Sequence, residues 1–585
     1  DKELEEKLAA YKAGLTKEKI AEIIAEDEAL NMTPEEILEW IEIPGDTKMG
    51  DYAFPCFRLA KTLRKAPPLI AQDVAARIEG AGIFEKVQPV NAYVNMFLDK
   101  KEYAQTLTED VLTQGKDYGR SEVGQHRPVI VEYSSPNIAK PFHIGHIRST
   151  VIGNAIYKLY DEIGYDVIRI NHLGDYGTQF GKMIVAYRKW GSEEELEKDP
   201  IKALLGYYTR FHREAENDPS LDDEAREAFV KLENGEEEEV RLWKRFRELS
   251  LQEFNRVYDM LGITFDSYAG ESFYSDKMPA VIEELKEKKL LVESRGAQIV
   301  DLEPYGMTPA IITKSDGSSL YATRDIAAAI YRKEHYNFDK CIYVVASQQN
   351  LHFKQWKKVL ELMGKEWQKD CIHIPFGLVS LEGGATLSTR KGNVVFLEDV
   401  LNEAVQKTAE IMKEKNPQGI DVDEVAKEVG IGAVIFQELS NNRIKDYVFN
   451  WDKVLNFDGE TGPYVQYTHA RACSVLRNAT EEEMARIRKG DFDAKYITSD
   501  SAYNLIKLIY RVPEIILDAA DKYEPSILTR HLVDVAQSFN KFYHDEHILV
   551  DNEDEKVAKL ALVESARIVI ANCLNLLGIK APERM

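Results

Sequence analysis

Two histidines three residues apart, with a glycine between them, are the first feature of this chain whose types and spacing could do chemistry: His143-Ile144-Gly145-His146. They close the segment Ser134-Ser135-Pro136-Asn137-Ile138-Ala139-Lys140-Pro141-Phe142, which follows a short β-rich run at 128–133. A helical pattern over about 145–163 comes next, and then a second β-run at 167–171. That is a βαβ unit, the signature of a parallel sheet. In such sheets ligands bind beyond the carboxyl ends of the strands, where helix N-termini offer unpaired N–H groups and positive potential to a phosphate. Gly145 omits a side chain where a base or phosphate could approach the backbone. A zinc reading of His143 and His146 lacks further His or Cys ligands nearby.

The second segment with chemistry is Ala385-Thr386-Leu387-Ser388-Thr389-Arg390-Lys391-Gly392-Asn393, a hydroxyl-rich, doubly basic loop about 240 residues downstream. Cations aimed at a triphosphate stabilise charge that develops during nucleotidyl transfer.

These segments need a scaffold, and 585 residues are too many for one hydrophobic core, so two to four domains are expected. The composition, 44% hydrophobic and 30% charged, fits a globular protein. No apolar run approaches the ~18–20 residues of a membrane span, and no secretory signal is visible at the start. The five scattered cysteines read as buried free thiols in a reducing cytoplasm. The net charge of −24 argues against a general nucleic-acid coat, but not against a local basic grip on one nucleic acid.

Along the chain, the first ~115 residues read as a separate α+β unit, with helical patterns at 4–25, 34–42 and 69–79 and a strand-like alternation over 87–98. A polar, glycine-bearing linker at 116–127 leads into the parallel-sheet domain. The stretch 193–253 is helical and highly charged, and reads as an exposed insertion that needs no function. Strand patterns resume at 290–300, at 310–314 with 320–323 across a turn, and at 341–346. Helical runs lie at 325–334 and 351–363, and beyond 397 nearly everything has helical period.

His143-Ile144-Gly145-His146 matches the HIGH signature of class I aminoacyl-tRNA synthetases, and 387–392 resembles that class's KMSKS loop in the divergent form of arginyl-tRNA synthetases. More specific are Ser135-Pro136-Asn137-Ile138-Ala139-Lys140, the stretch Asn171-His172-Leu173-Gly174-Asp175-Tyr176-Gly177-Thr178-Gln179-Phe180, and the ending Ala581-Pro582-Glu583-Arg584-Met585. The chain departs from KMSKS at Thr386 and Thr389, where lysines would stand. Arg390 and Lys391 follow instead, and Lys140 matches the lysine before HIGH that the family uses in place of the missing one.

The resemblance implies an α/β fold: a Rossmann-type parallel-sheet catalytic domain with helical insertions, an α+β N-terminal domain and an all-helical C-terminal domain. It divides the chain into a tRNA-corner-binding domain at 1–115, a catalytic domain at 116–395 with an insertion at about 193–262, a helical connecting region at 396–450 and an anticodon-binding domain at 451–585. It further implies an arginine–tRNA ligase that uses ATP with Mg2+, holds no dedicated metal site, and acts as a cytoplasmic monomer on tRNA(Arg), with activation dependent on tRNA. The catalytic residues implied are His143, His146, Lys140, Arg390 and Lys391, and ATP would meet His143, Gly145, His146, Ser388 and Lys391. Arginine would meet Ser135, Asn137, His146, Tyr321, Asp325 and Gln349, with Glu132 as the alternative guanidinium acceptor. For tRNA the candidates are Asn91, Tyr93 and Asn95, on alternating positions of the predicted strand, and Tyr464, Tyr467 and Arg471. The rival readings are an adenylate-forming enzyme that uses no tRNA and a non-catalytic tRNA-binding paralogue.

Overall fold

The computed structural model describes residues 17–315, 321–381, 395–415 and 417–585. The loop residues Ser388, Arg390 and Lys391 therefore lie outside the described residues, as do positions 4–16 of the first predicted helix.

Two compact units form. The first gathers residues 1–113 with 479–507 and 541–562. Its sheet has strands β1 (Tyr52–Pro55), β2 (Lys86–Val90) and β3 (Tyr93–Phe97) in the antiparallel order β1-β3-β2. The single strand expected over 87–98 is thus a hairpin, with Val90 paired to Tyr93. Asn91 supplies the turn at φ 53°, the left-handed region that Asn tolerates in two-residue hairpin loops. Asn91 is therefore not on a strand, and Asn95 is buried, so with Tyr93 they do not line one exposed face. A buried carboxylate ties this unit together: Asp51 accepts from the Tyr503 hydroxyl at 3.0 Å and the Leu98 amide at 2.9 Å, and pairs with Lys507 at 3.1 Å.

The second unit holds residues 114–478, 508–540 and 563–585. Strands β4 (Pro128–Glu132) and β5 (Asp166–Ile170) flank the His146–Glu162 helix. An antiparallel trio, β6 (Leu291–Ser294), β7 (Ala297–Val300) and β8 (Ala310–Thr313), follows the insertion. Then come β9 (Lys340–Val344) and β10 (Cys371–Ile374), which join the first two in an all-parallel sheet of order β10-β9-β4-β5. Because β4 pairs with β5 on one side and β9 on the other, the chain reverses direction across the sheet there. The crevice lies outside the carboxyl ends of β4 and β9. Trp356, Tyr343, Cys341 and Ile326 pack in the core against this sheet.

Residues 321–323, expected as a strand, instead open the Tyr321–Tyr336 helix. The apolar positions Ala322, Ile326 and Ala329 recur at helical spacing and are buried, which outweighs the short β-like run. Beyond 397 the helical reading has one exception among the described residues: β12 (Tyr447–Phe449) pairs in parallel with β11 (Val379–Leu381). All five cysteines are free and buried.

Buried ionic contacts lock the helices of this unit. Arg148, two residues past His146, donates to the Glu438 carboxylate at 2.6 Å and to the Lys445 carbonyl at 2.7 Å, and its guanidinium lies over the Tyr447 ring. The Tyr447 hydroxyl donates to the other Glu438 oxygen. Both charged side chains are essentially inaccessible, at 1% and 0%. Breaking such a pair from one side strands a buried charge. We predict that Arg148→Met costs about 3–5 kcal/mol of stability and that Arg148→Met with Glu438→Leu recovers a large part of it. Denaturant titration of the three proteins checks this; a single variant as stable as the parent would refute it.

Candidate active site

The turn after β4 is under backbone strain. Ser134 (φ 70°), Ser135 (φ 51°) and Ala139 (φ 66°) all take left-handed conformations that cost non-glycine residues energy. The surroundings hold them there. The Ser134 hydroxyl bonds Thr150 and Tyr258, each at 2.7 Å, and the Ser134 amide donates to Ser149 Oγ. Asn171 accepts from the Ser135 amide and donates to the Tyr258 hydroxyl, while the Ala139 amide donates to Ser250. Tyr258 and Ser250 come from the Glu237–Leu261 helix, inside the charged insertion. The insertion thus buries an apolar and hydroxyl face against the site, and is more than the solvated appendage its charge suggested. Gly174 is required here: a Cβ at that position would lie 1.9 Å from Asn137 Oδ1.

Gly145 caps the helix that begins at His146. The space a Cβ would take there is filled by the His143 ring, 2.6 Å away, so the glycine first accommodates its own neighbour. The His143 amide donates to His146 Nδ1 at 3.1 Å, and the Gly145 amide donates to His143 Nδ1 at 3.0 Å. Both Nδ1 atoms are therefore acceptors, which leaves each neutral ring its proton on Nε2. The rings sit 4.1 Å apart, and His146 also stacks on Phe142. Burial lowers the His143 pKa. Burial, and then the neighbouring His143, pull His146 down to about 3 against the raising effect of its backbone hydrogen bond. The pair is a set of two neutral N–H donors.

Lys140 and Asn137 are exposed on the same turn, and the Ser135 hydroxyl is buried with no hydrogen-bond partner among the described residues. The segments flanking residues 382–394 are anchored at both ends. β11 precedes them, while the Ile144 amide donates to the Val395 carbonyl and the Leu397 amide to the Phe142 carbonyl. Gln349 is exposed in the 3-10 turn Ser347–Gln349 that follows β9.

Three carboxylates gather around the half-buried His172, and a fourth, Glu271, lies beside two of them. Glu132, Asp175 and Asp325 each act on the charge of His172, and Asp175 and Asp325 act in turn on Glu271. Glu132 pairs with the buried Arg332 at 2.9 Å, so the alternative guanidinium acceptor already holds a guanidinium. Asp175 pairs with Arg247 at 2.9 Å and accepts twice from Ser272. Glu271 pairs with Arg324 at 2.7 Å, and burial pushes its carboxyl up to about 7 against the pull of Arg324. Asp325 pairs with His352. Tyr321, one turn before Asp325, is exposed beneath the Arg324 guanidinium. Sequence reasoning missed His352, Tyr258, Ser250, Arg332 and Arg247. Of these His352 left a trace, since it lies three residues beyond Gln349 at the start of a helix.

In the Gly462–Leu476 helix, Tyr464, Tyr467 and Arg471 share one face. Asn540 ties Tyr464 to Arg471 through hydrogen bonds of 2.9 Å each, and the Arg471 guanidinium lies over the exposed Tyr467 ring. Among the described residues no helix is long and apolar enough to cross a membrane, and no three His, Cys, Asp or Glu side chains are grouped to hold a metal ion.

Three family models match the chain: the Arginyl tRNA synthetase N terminal domain over residues 15–98, the class I (R) tRNA synthetase catalytic domain over 107–451, and the DALR anticodon binding domain over 465–585. The chain is 60% identical to the arginine–tRNA ligase of Clostridioides difficile, across 95% of this chain and 97% of that protein. It is 58% identical to the corresponding ligase of Halothermothrix orenii, across 97% and 99%. Among solved structures it resembles Thermus thermophilus arginyl-tRNA synthetase, with TM-score 0.78, 26% identity, and 98% and 100% of the two chains covered. It also resembles the Plasmodium falciparum enzyme, with TM-score 0.77, 26% identity, and 93% and 94% covered.

The low pKa of His146 has a consequence for stability. Its unfolded value is near 6.5, so as pH falls the unfolded chain takes up the proton first. The contribution of the neutral ring is whole above about 6.5 and is lost as pH falls toward 3. We predict that His146→Asn lessens the fall in unfolding temperature between about pH 6.5 and pH 4. An acid-induced fall of the same size in parent and variant would contradict this.

Proposed function

This chain belongs to the arginyl-tRNA synthetase family, and on that premise we propose how its residues divide the work of activating arginine with ATP and passing it to tRNA. The activity is that of an arginine–tRNA ligase. The arginine carboxylate attacks the α-phosphate of ATP, giving arginyl-adenylate and pyrophosphate, and the terminal ribose hydroxyl of tRNA then takes the arginyl group. Neither step needs a protein nucleophile, so catalysis is positioning and charge stabilisation.

The Nε2–H groups of His143 and His146 are the donors that meet ATP and the charge developing at its α-phosphate, with Gly145 making room for the His143 ring. Neutral imidazoles suit this role, because they can donate without first being protonated. Lys140 and the loop residues Ser388, Arg390 and Lys391 are assigned to the phosphates. Magnesium would accompany the nucleotide and offset phosphate charge. Ser135, Asn137 and Gln349 are assigned to the α-amino and carboxylate end of arginine, and the unpartnered Ser135 hydroxyl supports this.

One observation carries the choice of arginine. Of the four carboxylates Glu132, Asp175, Glu271 and Asp325, three are paired with an arginine of the chain, whereas among the described residues Asp325 is paired with His352, whose ring carries no obligatory charge. Asp325 is thus the acceptor available to a substrate guanidinium, and Tyr321 flanks it. The rival reading of an enzyme without tRNA leaves the N-terminal and C-terminal domains without a role. We assign 1–115 to the tRNA corner and 451–585 to the anticodon arm. Tyr464, Tyr467 and Arg471 are candidates for base stacking. Of the three N-terminal candidates, Tyr93 is the one that carries a ring, and it is half-buried. A cytoplasmic monomer is the state this reading favours.

Three outcomes are expected. His143→Ala or His146→Ala should lower arginine-dependent pyrophosphate exchange ~100- to 1000-fold with the fold intact; near-parental rates in both would remove their assignment. tRNA affinity should fall steeply as salt rises, through counterion release, while arginine and ATP binding change less. Equal tRNA affinity in low and high salt would defeat that reading. Exchange should also require cognate tRNA, with tRNA oxidised at its terminal ribose still supporting it, because differential affinity for the competent state supplies the shift. Full exchange without tRNA would favour a preassembled site.

A further inference from the structure

We propose that His352 is the positioning residue for arginine recognition: it holds the Asp325 carboxylate in place with a hydrogen bond and leaves that carboxylate available to the substrate. The inference rests on the reading of Asp325 as the guanidinium acceptor and adds the residue that makes it available.

The geometry is specific. His352 Nε2 meets Asp325 Oδ2, and Oδ1 makes no hydrogen bond among the described residues. The two side chains are 24% and 27% exposed, so the contact sits at the wall of the crevice and not in the core. Each partner is carried by a separate helix, Tyr321–Tyr336 and Asn350–Leu362, and both start at the carboxyl end of the sheet. His352 is itself braced. Its ring lies edge-on to Phe353, and Phe353 stacks on His373 at 4.1 Å and 7°. His373 in turn bonds the Val345 carbonyl at 2.8 Å, just past β9. A carboxylate turning freely about its last bond would lose the planar edge that a guanidinium fork needs.

Charge decides why the partner is a histidine. Glu132, Asp175 and Glu271 each face an arginine of the chain. An arginine or lysine at 352 would complete a fourth internal pair and occupy the carboxylate with a cation that never leaves. An alanine would leave the charge but not the orientation. An imidazole, which carries no obligatory charge, can supply one N–H and restrain Asp325 through Oδ2 while Oδ1 makes no hydrogen bond among the described residues.

The test is arginine-dependent pyrophosphate exchange in the presence of tRNA, with the arginine and ATP KM values measured separately. His352→Ala should raise the arginine KM about 10- to 100-fold, the scale of a lost hydrogen bond to a charged group. The ATP KM should stay within about twofold, since the nucleotide contacts are untouched. His352→Gln, which keeps an N–H donor, should recover most of that loss, whereas His352→Arg should raise the arginine KM more than His352→Ala does. Circular dichroism confirms folding, and the alanine and glutamine variants decide the matter if the arginine variant does not fold. An arginine KM unchanged in His352→Ala, or equal rises in both KM values that glutamine does not rescue, would overturn the proposal. Asp325→Asn separates the two layers. If it raises the arginine KM while His352→Ala does not, the positioning role falls and the acceptor reading stands. If Asp325→Asn itself leaves the arginine KM unchanged, the premise falls and this inference falls with it.

Discussion

The buried ion pair between Arg148 and Glu438 is the contact on which the catalytic layout hangs. It takes two charges out of water, which is expensive unless their hydrogen bonds are satisfied. Here the Lys445 carbonyl and the Tyr447 hydroxyl supply much of that satisfaction. The arrangement joins three pieces of chain at one point: the helix that opens at His146, the Val422–Ser440 helix, and β12. Since β12 pairs with β11, which leads into residues 382–394, the same junction fixes one flank of the basic loop relative to the histidine signature. An apolar contact could slide, but this one has a single register, because displacement would strand both charges.

A second layer of organisation is the strained turn between β4 and the signature. Left-handed serines and an alanine persist only where neighbours over-determine them. Those neighbours come from Ser149 and Thr150 on the following helix, Asn171 after β5, and Ser250 and Tyr258 on the insertion. Their hydrogen bonds converge on the turn from three parts of the chain, so the energy stored in it is spread over the domain. The benefit is preorganisation, since donors already in place lose no reorganisation energy as charge develops.

In the crevice, Glu132, Asp175 and Glu271 are matched by arginines of the chain, and Asp325 by His352. Burial lowers the pKa of both signature histidines, which keeps them uncharged N–H donors. Selectivity for a guanidinium over an ammonium then comes from fork geometry, which a lysine side chain cannot reproduce.

How much of this was legible in the sequence depends on whether the signal is local. The parallel sheet, the signature helix and the long helical C-terminal stretch were readable, because hydrophobic period and short motifs lie within a few residues of one another. The family was readable for the same reason, since His143-Ile144-Gly145-His146, Asn171–Phe180 and the chain's last residues are contiguous words. The hairpin at Asn91 was hidden because alternation continues on both sides of a two-residue turn. The helix at Tyr321 was hidden because a few β-like residues precede its apolar stripe. Ion-pair partners were not readable at all. Glu132 and Arg332 are 200 positions apart and Arg148 and Glu438 are 290, and no local pattern says which acid will be neutralised and which left open. The types of residue available for the chemistry were determined by the sequence alone. Which carboxylate is paired with a histidine and not an arginine was decided only by the tertiary structure, because that depends on which side chains the folded sheet brings within hydrogen-bonding distance.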